Sequence, residues 1–226
     1  MEAAITSRDN AKIKFACAVR DSEKRRAQEG LFFAEGPKLC LELAKSCTPR
    51  MAFATAAAMA KTPALSALNP AEIAPHVAEK LAGTKSSQDV FVLFETPAPD
   101  ASALQTARRI LALEGVQDPG NVGTLWRTAD AFGADGMILL PGCADPWSPK
   151  TLRATMGACF RLPVWEGVLG DLAPKLAQAG LPLYATALRE DTVDLREMDL
   201  RRCAIAIGSE GRGVSQAVLE ASAKTV

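Results

Sequence analysis

Residues 109–140 read RILALEGVQDPGNVGTLWRTADAFGADGMILL, and their pattern sets the fold class. Ile110, Leu111, Ala112 and Leu113 form an unbroken apolar run, the signature of a strand buried on both faces. Gln117-Asp118-Pro119-Gly120-Asn121 follows, rich in residues that favour turns through fixed φ, positive φ or local side-chain bonding. A helix is expected over 121–132, with Leu125, Ala129 and Phe132 at i, i+4 and i+7 facing a sheet. Gly133 stands where a left-handed residue closes a helix, and Met137 to Leu140 reads as the next strand. This is a βαβ unit. Its loop belongs at the carboxyl edge of a parallel sheet, where open α/β proteins bind ligands.

The alternation continues to the end of the chain. Strands are expected at 109–114, 136–140, 162–165, 182–186 and 203–207, and helices at 121–132, about 149–157, 171–178 and 214–221. That order predicts an α/β domain with a mostly parallel sheet covered on both faces. Neither the GxGxxG nor the GxxxxGK[ST] fingerprint occurs. Three glycines in Gly208-Ser209-Glu210-Gly211-Arg212-Gly213, directly after a buried strand, instead point to a backbone that something approaches closely.

The first half has a different character. A helix is expected from Asn10, its N-cap, to about Gln28, with Gly30 as its stop. Ten Lys and Arg stand against seven Asp and Glu over residues 1–50, and six of the ten lie between Lys12 and Arg26. A solvated helix face and an RNA-binding face are both open for this segment. Short strands are expected at 31–34, 51–54 and 90–94, and helices from Pro37 and around 55–60 and 70–82. Two prolines in Thr96-Pro97-Ala98-Pro99-Asp100 mark a boundary, giving units at 1–96 and 108–226 with a linker at 97–107.

Composition excludes several classes of function. With 26 basic and 26 acidic residues the net charge is zero, so any nucleic-acid field must be local. Six scattered cysteines without a CxxC pair fit small core residues in a reducing cytoplasm. His76 is the only histidine, which removes Ser–His and Cys–His nucleophile pairs and histidine-based metal sites. No apolar run reaches membrane-spanning length.

Three strand-to-helix junctions carry ordered motifs. They are N-x-G-x-x-x-R-x-A-x-x-F-G from Asn121, R-A-T-M-G-A-x-F-R-L-P-V from Arg153, and I-G-S-E-G-R-G-V-S from Ile207. Together they resemble the signature motifs of the SpoU (TrmH-type) RNA ribose 2′-O-methyltransferases of the SPOUT superfamily. The segments S-R-D-N-A-K-I-K at 7–14 and R-R-A-Q-E-G-L-F-F-A-E-G-P-K-L-C at 25–40 are similar to that family's amino-terminal RNA-binding α/β module.

The resemblance implies a deep trefoil knot in the second domain, a homodimer, and S-adenosylmethionine as cofactor. It implies methylation of a ribose 2′-hydroxyl in structured RNA, ribosomal before transfer RNA. Arg127, Asn121 and Glu210 fall on the positions with catalytic roles, and Leu140, Gly142, Thr155, Ile207, Gly208, Gly211 and Gly213 on those near the cofactor. Thr155 stands where the family usually has serine, and Lys12, Arg20, Arg25 and Arg26 are the candidate RNA contacts. An arginine is a poor base at neutral pH, so stabilisation of the developing oxyanion, or anchoring of the adjacent phosphate, is preferred for Arg127. Asn121 as a plain helix cap, and Arg127 paired with Asp130 or Asp118, are the structural alternatives. Trp147 is a candidate base stacker or a ring packed on Pro146 and Pro149. Family members continue with a strand, a Pro-Met turn and a Ser-Leu-Asn helix, so a tail beyond Val226 is expected. A non-catalytic RNA-binding protein and an α/β enzyme of a small metabolite are the competing functions.

Overall fold

A computed structural model describes residues 3–83, 87–98, 100 and 102–226. The chain divides into two units, one of residues up to 97 together with 147–152, the other of residues 98–146 and 153–226.

The first unit opens with helices α1 (Ala11–Asp21) and α2 (Glu23–Glu29), where a single helix is expected from the sequence. Ser22 causes the break. Its backbone is extended, its N–H closes α1 on the Ala18 carbonyl, and its hydroxyl accepts from Arg25 N to start α2. Asn10 caps α1 as expected, accepting from Lys12 N, and Gly30 ends α2 in the left-handed region. Then come β1 (Leu31–Glu35), α3 (Pro37–Leu43), β2 (Pro49–Ala54), α4 (Ala56–Lys61), a 3₁₀ turn at Pro63–Leu68, β3 (Ala71–Glu72), α5 (Pro75–Leu81) and β4 (Val90–Glu95). The helix expected from residue 70 starts five residues later, at a proline in its first turn, because Ala71 and Glu72 pair with β2 instead. The sheet order is β1-β4-β2-β3, with β4 antiparallel to both neighbours. Ile13, Ala16 and Val19 of α1 and Val77, Ala78 and Leu81 of α5 pack on Phe33, Phe53, Phe91 and Leu93. Trp147 lies with its ring centroid 5.0 Å from that of Phe32 and is almost wholly buried, so it is a core ring of this unit rather than an exposed stacking platform.

The second unit is a six-stranded, wholly parallel sheet. Its elements are α6 (Ala103–Thr106), β5 (Arg109–Leu113), α7 (Pro119–Ala131), β6 (Gly136–Leu139), α8 (Pro149–Thr155, whose first residues belong to the other unit), and a 3₁₀ turn at Ala158–Phe160. β7 (Val164–Glu166), α9 (Leu169–Gln178), β8 (Leu183–Ala185), a 3₁₀ turn at Leu195–Glu197, β9 (Cys203–Ile207), α10 (Gln216–Ala221) and β10 (Lys224–Thr225) complete it. The strand order is β10-β8-β9-β5-β6-β7. Leu104, Leu172, Leu176 and Val218 cover one sheet face over Ile110, Ala112, Ile138, Leu183, Ala204 and Ala206. Part of the stretch expected to be linker thus forms α6, whose Leu104 is core.

Helix α7 buries a different face from the one expected. Val122, Gly123, Trp126 and Ala129 are buried, Leu125 is half-buried, and Phe132 is 79% exposed. Both apolar sets share the i, i+4, i+7 spacing, so periodicity does not separate them. The indole decides: Trp126 Nε1 donates to the Leu162 carbonyl at 3.0 Å inside the core, a bond available only when this face turns inward. Gly133 closes α7 as expected, at φ +69°, with its N–H on Asp130 and the Ala134 N–H on Ala129.

Candidate active site

The first and third motifs leave the carboxyl ends of the parallel strands β5 and β9, whereas the second, expected at a strand-to-helix junction, runs from the end of α8 into the start of β7. β5 lies between β9 and β6, so the loops after these strands are neighbours. Asp118, not Asn121, caps α7, accepting from Asn121 N at 3.1 Å, and Pro119 takes the first helical position. The Asn121 side chain is thereby released from capping. Its amide nitrogen donates to the carboxylate of Glu210 in the third motif.

Six residues on, Arg127 leaves α7 on another side, about 9 Å further along the axis. It is exposed and directs Nη1 to Met156 Sδ at 2.7 Å. Asp130 bonds Arg161 instead. Met156 lies in the second motif, at φ +48° with its side chain 73% exposed, next to Gly157 at φ +94°. The structure therefore forms two links between motifs, Asn121 to Glu210 and Arg127 to Met156.

The glycine loop folds back on itself. Ser209 and Gly213 exchange main-chain hydrogen bonds at 3.1 and 2.9 Å. A Cβ on Gly208 would lie 1.9 Å from the Gly213 carbonyl carbon, so no side chain fits there. Glu114, at the end of β5, accepts from Ser215 N at 2.6 Å and ties the start of α10 to the first loop. Gly142, at φ +86°, brings the loop after β6 against Gly115, where an added Cβ would stand 3.2 Å from its Cα. Burial pushes the Cys143 thiol up, and it donates to the Leu113 carbonyl at 3.3 Å.

The remaining expected residues take the following places. Leu140 has its side chain in the core cluster. Ile207 is half-buried at the end of β9, while Gly211 and Gly213 are exposed. Thr155 is fully buried and turns its hydroxyl into the second-motif loop, donating to Cys159 Sγ and accepting from Gly157 N, both at 3.3 Å. It supports that loop from within.

Of the expected RNA contacts, Arg20, Arg25 and Arg26 have partners within the first unit. Arg26 is buried and donates through Nη1 to the Val19 and Arg20 carbonyls, each at 2.7 Å. Arg20 donates to the carbonyls of Lys80 and Leu81 at the end of α5, at 2.8 and 2.9 Å. Lys12 is exposed. Arg25 lies over the Phe15 ring and pairs with Glu29. Sequence reasoning missed Glu114 and Met156. Glu114 follows a buried strand as an isolated carboxylate, and Met156 stands inside the second motif with no polar group to mark it.

Among the described residues no group of three or more His, Cys, Asp or Glu side chains is arranged to hold a metal ion, and no helix is long and apolar enough to cross a membrane.

The family model described as SpoU rRNA Methylase family matches residues 108–226, and that of the MRM3-like substrate binding domain matches residues 10–92. The chain is 38% identical over 144 residues to the 23S rRNA (guanosine(2553)-2′-O)-methyltransferase RlmP of Bacillus subtilis, an alignment taking in 59% of this chain and 58% of that protein's length. It is 36% identical over 227 residues to an uncharacterized tRNA/rRNA methyltransferase of Synechocystis, covering 96% of this chain and 82% of the relative. The AdoMet-bound rRNA methyltransferase from Sinorhizobium meliloti superposes with a TM-score of 0.85 at 28% identity, covering 99% of this chain and 87% of that one.

Proposed function

Because the chain belongs to the SpoU rRNA methylase family, we propose that it transfers a methyl group from S-adenosylmethionine to a ribose 2′-hydroxyl of ribosomal RNA. The observation that carries this is the bond from Asn121 to Glu210, which joins the first and third motif loops at the carboxyl edge of the sheet. The glycine loop fits such a cofactor, since between Gly208 and Gly213 it presents main chain with little side-chain cover. Gly208, Gly211, Gly213 and Ile207 would hold the adenosine side, with Gly142 and the main chain of Leu140 beside them. Bound there, the cofactor supplies an electrophilic sulfonium methyl.

The remaining work falls to side chains of this chain. Arg127 stays charged and stabilises the oxyanion that develops as the 2′-hydroxyl loses its proton, or grips the neighbouring phosphate. Asn121 and Glu210 hold the two loops in register and orient the ribose. Thr155 and Glu114 act one step back, as positioning residues for the second and third loops. Lys12 and Arg25 of the first unit contact RNA, whereas Arg20 and Arg26 hold the helices that present them. The unit at 1–96 serves RNA binding and that at 108–226 methyl transfer. The proposal includes a knotted homodimer working in the cytoplasm.

The test is incorporation of labelled methyl groups from S-adenosylmethionine into protein-free ribosomal RNA, with the product nucleoside identified after digestion. A 2′-O-methylated nucleoside supports the proposal. Tight RNA binding without methyl transfer selects a non-catalytic RNA-binding protein, and methylation confined to transfer RNA moves the substrate.

A further inference from the structure

The sheet edge opposite the first and third motif loops carries a charge pattern that the methyl-transfer chemistry does not use. Arg108 and Arg109 precede and open β5, Arg201 and Arg202 precede β9, and these strands are neighbours. With Asp199 the four arginines line a depression of about 480 Å³. In a chain of zero net charge, four arginines against the carboxylates of Asp199 and the nearby Asp135 leave a local excess of positive charge.

The four are not equivalent. Arg202 donates to the Ala179 and Gly180 carbonyls and so closes the end of α9. The Arg201 guanidinium donates twice to Asp199, at 2.9 and 2.8 Å, and its main-chain N–H once, at 3.0 Å. Arg108 and Arg109 give only their main-chain N–H groups to a local partner, the Asp135 carboxylate, at 2.8 and 2.9 Å. Both are exposed, and neither guanidinium has a side-chain ion pair or hydrogen bond among the described residues. Asp135 fixes the backbone from which the Arg108 and Arg109 side chains project, and both line the depression. A guanidinium presents a planar fork of donors that matches two phosphate oxygens, so two such side chains can each take a phosphate of the same RNA.

We propose that this arginine-lined depression grips the phosphate backbone of the RNA substrate at a second point, on the side of the sheet away from the methyl-transfer loops. This rests on the function proposed above and extends it. The two sheet edges lie about 16 Å apart, the length of the five residues of β5 at ~3.3 Å each. A structured RNA can span that distance, and a single nucleotide cannot. The contact is sequence-independent. It contributes affinity and register on the RNA, while the choice of nucleotide remains with the motif loops.

The experiment compares the full chain with its Arg108→Ala/Arg109→Ala and Arg108→Lys/Arg109→Lys forms, using protein-free large-subunit ribosomal RNA across a salt series. Loss of about two phosphate contacts lowers the slope of log affinity against log salt by roughly 1.5–2 in the alanine form. The lysine form keeps most of the slope. S-adenosylmethionine affinity and melting temperature stay at the parent values, since the main-chain bonds to Asp135 survive both changes. An unchanged slope in a folded alanine form, with parent-like RNA affinity, overturns the inference and leaves the methyltransferase proposal intact. If the parent chain neither binds nor methylates that RNA, the functional proposal itself falls.

Discussion

Asn121 and Glu210 stand 89 positions apart in the sequence, yet the side-chain amide of one donates to the carboxylate of the other. The pair joins the first turn of α7 to the loop after β9. On the proposed function, replacing either residue with alanine loosens the same loop pair. The single variants should each lose activity, and the double variant should lose less than the product of the two. The coupling energy expected from a thermodynamic cycle on cofactor affinity is about 0.5–3 kcal/mol. Strict additivity would mean that the bond does no work in solution.

Arg127 is expected to act in the transition state rather than in cofactor binding. Arg127→Ala should lower kcat by about 10²–10³-fold, the usual consequence of removing one oxyanion donor. Calorimetric affinity for S-adenosylmethionine should remain near the parent value. Met156→Leu, which keeps the bulk beside Arg127 but removes the sulfur at 2.7 Å, should cost much less. A large loss of cofactor affinity in Arg127→Ala would reassign the residue to the binding pocket.

Gly208→Ala puts a methyl group 1.9 Å from the Gly213 carbonyl carbon, where no relaxation short of opening the loop makes room. Loss of cofactor binding is expected, with only a modest fall in melting temperature because the strain is confined to a loop at the sheet edge. Gly170→Ala, in the first turn of α9 and outside the glycine loop, is the control. Nothing lies within 4 Å of a Cβ there, so binding should survive.

The thiols predict an alkaline limit to stability. Burial pushes Cys40 up strongly from its ordinary value of 9.0, and Cys143 and Cys203 move in the same direction for the same cause. A group whose pKa is raised on folding contributes fully below its unfolded pKa and loses that contribution as pH rises past it. Thermal stability should therefore fall above about pH 9, where unfolded thiols ionise and buried ones resist. Cys40→Ala should flatten that alkaline limb in a melting series, although it lowers stability at neutral pH by opening a small cavity.

The second unit was legible because its signals are local and repeated. Apolar runs such as Ile110 to Leu113, short and followed by turn formers, read as buried strands, and they form them. Gly133 as the stop of α7 was equally plain, since left-handed backbone at a helix end is glycine's place. What failed were choices between equal local patterns. Val122-Trp126-Ala129 and Leu125-Ala129-Phe132 have the same spacing, and only the distant Leu162 carbonyl selects between them. Ser22 could have been the interior of a long helix until its two capping bonds are seen. The basic segment misled in another way. Arg20 and Arg26 count as surface charge in a sequence, yet both are spent on carbonyls of residues whose positions only the fold supplies. The link from Asn121 to Glu210 was beyond reach of spacing, because motif order says nothing of which side chains meet.

Strand β9 lies between β8 and β5, and its pairing Arg109↔Cys203 joins residues separated by 94 positions. During synthesis β5 emerges long before the strand that will flank it, and both β5 and β8 must wait with an open edge. Only when β9 slots into that gap do the first and third loops come side by side. Assembly of the candidate site is therefore a late event in folding, gated by a long-range pairing that is slow to form. A molecule bridging those loops would bind the finished sheet and not its precursors, drawing the population toward the completed fold by mass action. Cofactor supply and the yield of folded enzyme would then be linked quantities in the cell that makes it.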